Sequence, residues 1–308
     1  MEADISPALF HANERTVMQL ENKKYRFALI NAFVLPKDSP YIDEHHAPVE
    51  GPKESRIMNF DNVKHVLEDV EWDFNPGALA SYGNWPVLTR EEFGLAAVAR
   101  VPLVRQACES GKYNGIVLLG GGEPGFLEST EVARKYNIPV TSCAFAQMHI
   151  ATMLGNKFSV IDLCEVHNMF YYNLVVQHRF TGRCASIRNI NFPLPRPGEE
   201  LDERTTRGQR NKAIRGEKSE MVEAAVEEAV AAIEEDGAEV LTMGCSATFW
   251  LQPFVQKRLC AMGWEIPVLE GYSAAIQLAK LMVDLGVTAS GLTFPNDHPK
   301  RWRRKKTF

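Results

Sequence analysis

The chain has 308 residues, of which 45% are hydrophobic and 24% are charged, as is usual for a soluble globular protein. This length favours about two domains and is sufficient to bury substantial hydrophobic cores. The formal net charge of -5 gives no overall basic field, so we expect no nucleic-acid partner.

Membrane and metal partners are also not expected. Residues 1–24 mix acidic and basic side chains without the apolar core of a signal peptide. No apolar run approaches the ~20 residues that cross a bilayer. The cysteines are scattered, with no CxxC spacing, which favours reduced thiols over disulfides or a zinc site. We therefore expect a cytoplasmic protein.

Apolar runs typical of buried strands alternate along the chain with amphipathic, helix-like segments. In chain order the predicted elements are strand 25–33, helix 95–110, strand 115–119, helix 123–136, strand 138–142, helix 145–154, strands 157–163 and 185–192, helix 219–235 and strand 238–243. Fully apolar strands are typical of parallel sheets that are covered on both faces. The alternation predicts an α/β protein whose parallel sheets are flanked by helices.

This order of elements occurs twice. Strand 115–119, a glycine-rich turn, a helix and an Ile-Pro-Val triplet at 138–140 are matched by strand 240–243, the turn 244–246, a helix and a second Ile-Pro-Val at 266–268. The repeat predicts two similar lobes. Because ligands bind beyond the carboxyl ends of strands in open parallel sheets, the two turns should face each other across one cleft.

The repeat and the composition together suggest domain boundaries. We expect an N-terminal extension at 1–24, a first lobe made of 25–140 and 268–298, and a second lobe made of 141–267. Residues 193–218 are rich in proline, glycine and charge, which predicts a flexible insertion. Residues 299–308 form a basic tail, for which a solvated tail is favoured over binding of an acidic partner.

Cys245 is the leading candidate for a catalytic residue. It follows a predicted strand and precedes a helix, so backbone N–H groups and the positive end of the helix dipole surround it. Such a setting lowers the pKa of a thiol from about 8.5 and favours the thiolate. A buried structural cysteine is the alternative. Ser246 and Thr248 could hydrogen-bond an anionic ligand or could simply cap the helix.

The turn formed by Gly120, Gly121 and Gly122 is the second candidate region. The run GGGEPG fits G-x-G-x-x-G, but no acidic residue follows about 20 positions later and the turn does not follow the first strand. A tight turn that offers N–H donors to a substrate oxygen is therefore favoured over a dinucleotide site, and we expect no cofactor.

Cys143 and His149 lie near the same predicted cleft. Cys143 follows strand 138–142 and His149 lies in the next helix, and a structural role is the alternative for each. The run Asp43–His46 carries metal-ligating side chains. Adjacent residues rarely converge on one ion, so a solvated loop is favoured and no metal site is expected.

Several stretches, in the same order along the chain, resemble the aspartate/glutamate/hydantoin racemase superfamily, and most closely its hydantoin and allantoin racemase branch. The resemblance runs from about residue 25 to residue 293, with interruptions. The stretches that carry it are Ile30-Asn31 (the branch's INPNTS turn), 122–125 (GDPG), 148–160 (MH…LLG…FSVV), 237–245 (GADVIVLGC) and 267–275 (PVVDGVAAA).

The resemblance implies two pseudo-symmetric lobes and chemistry without a cofactor. In these racemases two cysteines, one from each lobe, flank a small-molecule substrate. One thiolate removes a proton from the carbon next to a carbonyl, and the opposite thiol returns one. By resemblance Asn31 would contact the substrate, whose oxygens would be held by the amides of 120–122, Ser246 and Thr248. We also expect a homo-oligomer.

The sequence departs from this scheme in the first lobe. Cys245 occupies the second-lobe position, but the GEPG anchor puts the first-lobe cysteine at Gly120, or at Gly121 if the turn is shifted. Another group, such as Glu123, Cys143 or His149, could supply the second acid or base. Alternatively, the chain could use a single cysteine, as arylmalonate decarboxylases do with glycine opposite, or could be a non-catalytic binding protein.

The foremost prediction is a cofactor-independent racemase or epimerase. It would act on a small hydantoin-like or amino-acid-like substrate, with Cys245 as the acid or base.

Overall fold

The computed structural model describes residues 24–41, 51–80, 85–196, 198–199, 204–295 and 301. The candidate metal run 43–46, most of the N-terminal extension and most of the basic tail lie outside these residues. Within the described part of the chain, no helix is long and apolar enough to cross a membrane, and no group of three or more His, Cys, Asp or Glu side chains could hold a metal ion.

Two four-stranded parallel sheets organise the chain, and both have the same strand order. The first sheet has the order β2-β1-β3-β4, and the second has the order β6-β5-β7-β8. The strands are β1 (Tyr25–Ile30), β2 (Val70–Asn75), β3 (Gly115–Leu118), β4 (Val140–Ser142), β5 (Phe158–Asp162), β6 (Cys184–Asn189), β7 (Val240–Met243) and β8 (Val268–Leu269). Strands β3 and β7 therefore hold equivalent positions, and the predicted α/β fold with two pseudo-symmetric lobes is confirmed.

Helices flank both sheets. They are α1 (Phe60–Leu67), α2 (Arg90–Glu109), α3 (Phe126–Arg134), α4 (Cys143–Leu154), α5 (Glu165–Gln177), α6 (Thr206–Ile214), α7 (Glu220–Glu234), α8 (Gln252–Ala261) and α9 (Gly271–Asp284), with short 3₁₀ helices at Lys53–Arg56 and Ser246–Leu251. Every residue of β3 and β7 is buried, as expected for parallel strands covered on both faces.

Helix α5 was not predicted, although it carries residues that reach the cleft. Its apolar residues lie all around the helix: Tyr171 and Val175 are buried, whereas Val166 and Tyr172 are 50% and 62% exposed. The segment therefore lacks the one-sided apolar stripe from which a surface helix is recognised in a sequence.

The stretch 193–218, predicted to be a flexible insertion, contains helix α6, so that prediction is corrected. The Thr205 side chain accepts a hydrogen bond from the Gly208 N–H and caps the helix. Gln209 is buried, and its side-chain oxygen accepts hydrogen bonds from the Ser219 hydroxyl and the Met221 N–H. A buried amide that is satisfied in this way ties the segment to the start of α7.

Helix α4 joins the two lobes, since it packs against α9 on one side and β7 on the other. The Gln147 side chain donates to the Met243 carbonyl and accepts from the Met243 N–H, both at 3.0 Å. This paired contact fixes the end of β7 immediately before the turn that carries Cys245.

Candidate active site

The turns that follow β3 and β7 meet between the lobes. A Cβ built on Gly121 would lie 2.3 Å from the Gly244 carbonyl oxygen and 2.9 Å from the Cys245 Cα. Both contacts are backbone atoms, so a cysteine at 121 would force the turns apart. Gly120 has a φ of 105°, a conformation that residues with a side chain rarely adopt. The close approach explains why glycine stands opposite Cys245.

Tyr171, on α5, bridges the two turns. Its hydroxyl donates to the Gly121 carbonyl at 2.9 Å and also lies against the Gly244 carbonyl. The side chain is buried, and burial raises the pKa of Tyr171 well above its ordinary value, so the hydroxyl stays a donor at neutral pH. The bridge holds two carbonyl dipoles close together that would otherwise repel each other.

A small cavity of about 30 Å³ lies beside this contact, with room for about one water molecule. Its lining combines both turns with the residues that follow β1, one residue each from α2 and α5, and Val87. The lining residues are Asn31, Ala32, Phe33, Val87, Phe93, Gly120, Gly121, Gly122, Pro124, His167, Cys245 and Ser246. The predicted candidates Asn31, 120–122, Cys245 and Ser246 are therefore brought together.

Cys245 is held in place through its backbone. Its N–H donates to Asp162 Oδ1 at 2.9 Å, and its carbonyl accepts hydrogen bonds from the Thr248 N–H and hydroxyl at 2.8 and 2.7 Å. Thr248 is fully buried and does not line the cavity, so its hydroxyl stabilises the turn that carries Cys245.

His167, on α5, is a candidate that the sequence analysis missed. It lines the cavity with Cys245, and only 3% of its surface is exposed. Its Nδ1 lies 3.7 Å from Asp162 Oδ1. Burial lowers the pKa of His167, but the negative charges that Cys245 and Asp162 can carry outweigh burial and raise it well above its ordinary value.

Asp162 lies behind both residues, at the carboxyl end of β5. It is fully buried, and its Oδ1 accepts the N–H groups of Leu163 and Cys245 at 2.7 and 2.9 Å. A Cβ on Gly244 would lie only 2.4 Å from the same oxygen, so the glycine makes room for the carboxylate. The thiol of Cys245, the imidazole of His167 and the carboxylate of Asp162 are thus grouped together on the second lobe. The signal that could have indicated them is a polar residue at the end of a strand, Asp162, followed by a histidine in the first turn of the next helix.

Glu123, proposed as a second acid or base, does not line the cavity. Its carboxylate accepts hydrogen bonds from the Ser142 hydroxyl and the Phe145 N–H, and its Oε2 lies 2.9 Å from His178 Nε2. A carboxylate beside the first turn of α4 stabilises the start of that helix. Glu123 therefore supports the glycine turn from behind.

Cys143 and His149 also lie outside the cavity lining. The Cys143 thiol is buried 3.6 Å from the Leu118 carbonyl, and burial raises its pKa well above the ordinary value, so it stays protonated. His149 Nδ1 lies 2.8 Å from the Phe145 carbonyl, and burial lowers the pKa of the ring. The contacts of both side chains are those of the structural alternatives that the sequence left open.

Arg100 fixes the first-lobe side of the site. Its guanidinium is 1% exposed and donates to the carbonyls of Ile30, Asn31 and Pro124 at 2.8, 3.2 and 3.1 Å, and also to that of Leu119. Burial lowers the pKa of Arg100 to about 10, so it stays charged at neutral pH. One side chain thus binds the ends of β1 and β3 and the turn after them.

The two lobes with a cysteine between them have the fold of known racemases. The allantoin racemase from Klebsiella pneumoniae superposes with a TM-score of 0.63 and 21% identity, over 90% of this chain and 95% of that one. The family described as Asp/Glu/Hydantoin racemase matches residues 95–279.

Two hydantoin racemases are similar in sequence. Those from Pseudomonas sp. (strain NS671) and Rhizobium meliloti are each 26% identical, over 195 and 202 residues. These matches span 62% and 65% of this chain and 68% and 73% of the relatives. The chain belongs to the Asp/Glu/hydantoin racemase family, and the prediction of a racemase-type enzyme is confirmed.

Proposed function

We propose that the chain is a cofactor-independent racemase or epimerase that acts on a carbon next to a carbonyl in a small cyclic amide, with Cys245 as acid and base. The observation that carries the proposal is the position of Cys245 in the cavity between the two turns, next to His167 and opposite Gly120–Gly122. A thiol beside a histidine and a carboxylate is set up for proton transfer near neutral pH.

The cavity lining favours a neutral, partly apolar substrate. Phe33 and Phe93 supply aromatic surface, and Asn31 and Ser246 supply polar groups. Among the described residues, no lysine or arginine lines the cavity. A substrate carboxylate buried there would lack the charge-assisted partner that its desolvation demands. A hydantoin-like ring fits this lining better than an amino acid or a malonate, and the similarity to hydantoin racemases supports the same choice.

The proposed reaction begins with the Cys245 thiolate. The thiolate removes the proton from the ring carbon, and the C–H electron pair moves into the adjacent carbonyl to give an enolate. The backbone N–H groups of 120–122 and the Ser246 hydroxyl are the candidate donors to the developing oxyanion. Return of a proton to the opposite face completes the inversion.

One observation favours a second candidate, a single-cysteine lyase of the arylmalonate decarboxylase kind. Among the described residues, the first-lobe side of the cavity lining has no titratable side chain that mirrors Cys245. An enzyme that protonates an enolate from one side needs only the second-lobe group. Such an enzyme would release CO₂ from an aryl malonate and form one enantiomer.

Incubation of one enantiomer of 5-benzylhydantoin in D₂O tests both candidates. For the racemase we expect optical rotation to decay while deuterium appears at the ring carbon. Deuterium uptake without loss of rotation would mean one-sided exchange, and CO₂ release from phenylmalonate would support the lyase. Absence of deuterium uptake with any hydantoin, compared with a reaction without enzyme, would contradict the cyclic-amide proposal.

Matched variants assign the reaction to the residue. Cys245→Ser should slow the exchange by at least about 100-fold, the lower range for loss of a general acid or base. Cys260→Ser, at an exposed cysteine, should leave the rate unchanged. A Cys245→Ser enzyme with the wild-type rate would exclude Cys245 as the proton carrier.

Homo-oligomeric assembly and a cytoplasmic location stay predictions. Exposed apolar side chains on α5, among them Val166, Met169 and Tyr172, are the surface feature that supports self-association.

A further inference from the structure

Among the described residues that line the cavity, two carry a thiol or an imidazole, Cys245 and His167, and both belong to the second lobe. Asn31 and the glycine turn on the other side cannot exchange a proton near neutral pH. A reaction that uses two proton-transfer residues of this described lining must therefore use His167 as well as Cys245. A catalytic role for His167 rests on the proposed function. The charge states of Cys245 and His167 do not depend on it.

The surroundings of His167 favour its cationic form. Asp162 is fully buried 3.7 Å away, and its Oδ2 has no hydrogen-bond partner among the described residues. A buried carboxylate that is satisfied on one oxygen only needs a nearby positive charge. His167 Nε2 is also buried and has no hydrogen-bond partner among the described residues, so it is available to the thiol or to a substrate oxygen.

Other titratable groups around the ring do not compete for the proton. Cys164, whose carbonyl accepts the His167 N–H at 3.0 Å, has a pKa that burial raises, so it stays a thiol. Tyr171 stays a phenol for the same reason. Phe93 and Phe170 contact the ring through their edges and carry no charge. Cys245 is therefore the remaining ionisable neighbour of His167 among the described residues of the cavity lining.

We propose that Cys245 and His167 form a thiolate–imidazolium pair oriented by Asp162, and that His167 is the second proton-transfer residue of the reaction. The thiolate takes the proton from the substrate carbon, and the C–H electron pair becomes the enolate. For inversion, the imidazolium gives its proton to the opposite face of that carbon. The enzyme is then left with a thiol and a neutral imidazole, and transfer of the thiol proton to the imidazole restores the pair.

The pH dependence of Cys245 alkylation by iodoacetamide tests the pair without any substrate. Each rate is divided by the rate of the same protein at pH 9.5, which removes the effect of burial on access. A thiol with the ordinary pKa of about 8.5 is only about 1% ionised at pH 6.5. We expect the wild-type ratio of the rates at pH 6.5 and 9.5 to be near 1, and the ratio in His167→Asn to be about 0.01.

Three further measurements make the test specific. His178→Asn removes another buried histidine that is paired with a carboxylate but lies outside the cavity lining, and it should leave the ratio near 1. Asp162→Asn keeps an oxygen for the two N–H donors but removes the charge, so its ratio should fall at least about 10-fold, the effect of one pKa unit. Thiolate absorbance near 240 nm at pH 6.5 should be present in the wild type and absent in Cys245→Ser.

A wild-type ratio near 0.01, or no difference in absorbance between the wild type and Cys245→Ser, would overturn the pair even if His167→Asn failed to fold. An unchanged ratio in folded His167→Asn would also overturn it. A protein that passes these tests but exchanges no hydantoin proton would retain the pair and lose the proposed function.

Discussion

Gly121→Ala offers a direct test of the contact between the two turns. The added Cβ would lie 2.3 Å from the Gly244 oxygen, 2.6 Å from the Tyr171 hydroxyl and 2.9 Å from the Cys245 Cα. Ordinary contacts begin near 3.5 Å, so the turns must separate by roughly 1 Å. Overpacking of this kind costs about 1–3 kcal/mol, and here two of the three opposing atoms belong to backbone that is fixed by Asp162 and Gln147.

Urea unfolding followed by tryptophan fluorescence measures the loss, and alkylation of Cys245 at pH 6.5 reports the disturbed turn. The control is Gly94→Ala in α2, where an added Cβ meets no atom within 4 Å. That change should stabilise the helix by about 0.5–1 kcal/mol. If Gly121→Ala unfolded at the wild-type urea concentration and kept the wild-type alkylation profile, the close approach of the lobes would be refuted.

Three other predictions follow from the buried polar contacts. Tyr171→Phe leaves the Gly121 and Gly244 carbonyls without their shared donor and should lower the free energy of unfolding by about 1–3 kcal/mol. The control Tyr172→Phe, on the exposed side of α5, should change the free energy of unfolding by less than about 0.5 kcal/mol. Equal effects of the two substitutions would contradict the bridge. Arg100→Lys cannot reach four carbonyls and should cost at least about 2 kcal/mol, whereas the exposed Arg105→Lys should cost almost nothing. His149 has a pKa lowered by burial, so the unfolded chain binds its proton first and stability is lost as the pH falls through the ordinary value of about 6.5. His149→Gln should therefore reduce the drop in urea midpoint between pH 7.5 and 5.5, and an unchanged drop would show that this histidine does not contribute to it.

The sequence was informative where a strand is buried on both faces. Residues 115–119 form a continuous apolar run and residues 240–243 a mostly apolar one, and the ends of these two strands predict that Cys245 and the glycine turn share one cleft. By contrast, β2 alternates buried Val70 and Trp72 with exposed Glu71 at the edge of its sheet. A run this short, in which polar and apolar residues alternate, is difficult to distinguish from loop segments in the sequence.

The candidate site was predictable only in part, because its second-lobe chemistry depends on tertiary contacts. His167 and Asp162 are separated from Cys245 by about 80 positions in the sequence, and only the pairing of β5 with β7 brings their elements together. Glu123, Cys143 and His149 were closer to the turns along the chain, yet their side chains point into helix caps and packing contacts. Proximity in sequence was therefore a poor guide to which groups line the cavity.

The small volume of the cavity has a kinetic consequence. A space of about 30 Å³ holds about one water molecule, so the proposed hydantoin-like ring would enter and leave only while the turns are apart. Each separation must break the hydrogen bond from the Tyr171 hydroxyl to the Gly121 carbonyl. Opening therefore gates both substrate capture and product release, and a slow gate would make turnover sensitive to solvent viscosity while the proton-transfer steps stayed fast. The strength of the Tyr171 bridge would then limit the turnover rate, although Tyr171 forms no hydrogen bond with Cys245 or His167 among the described residues.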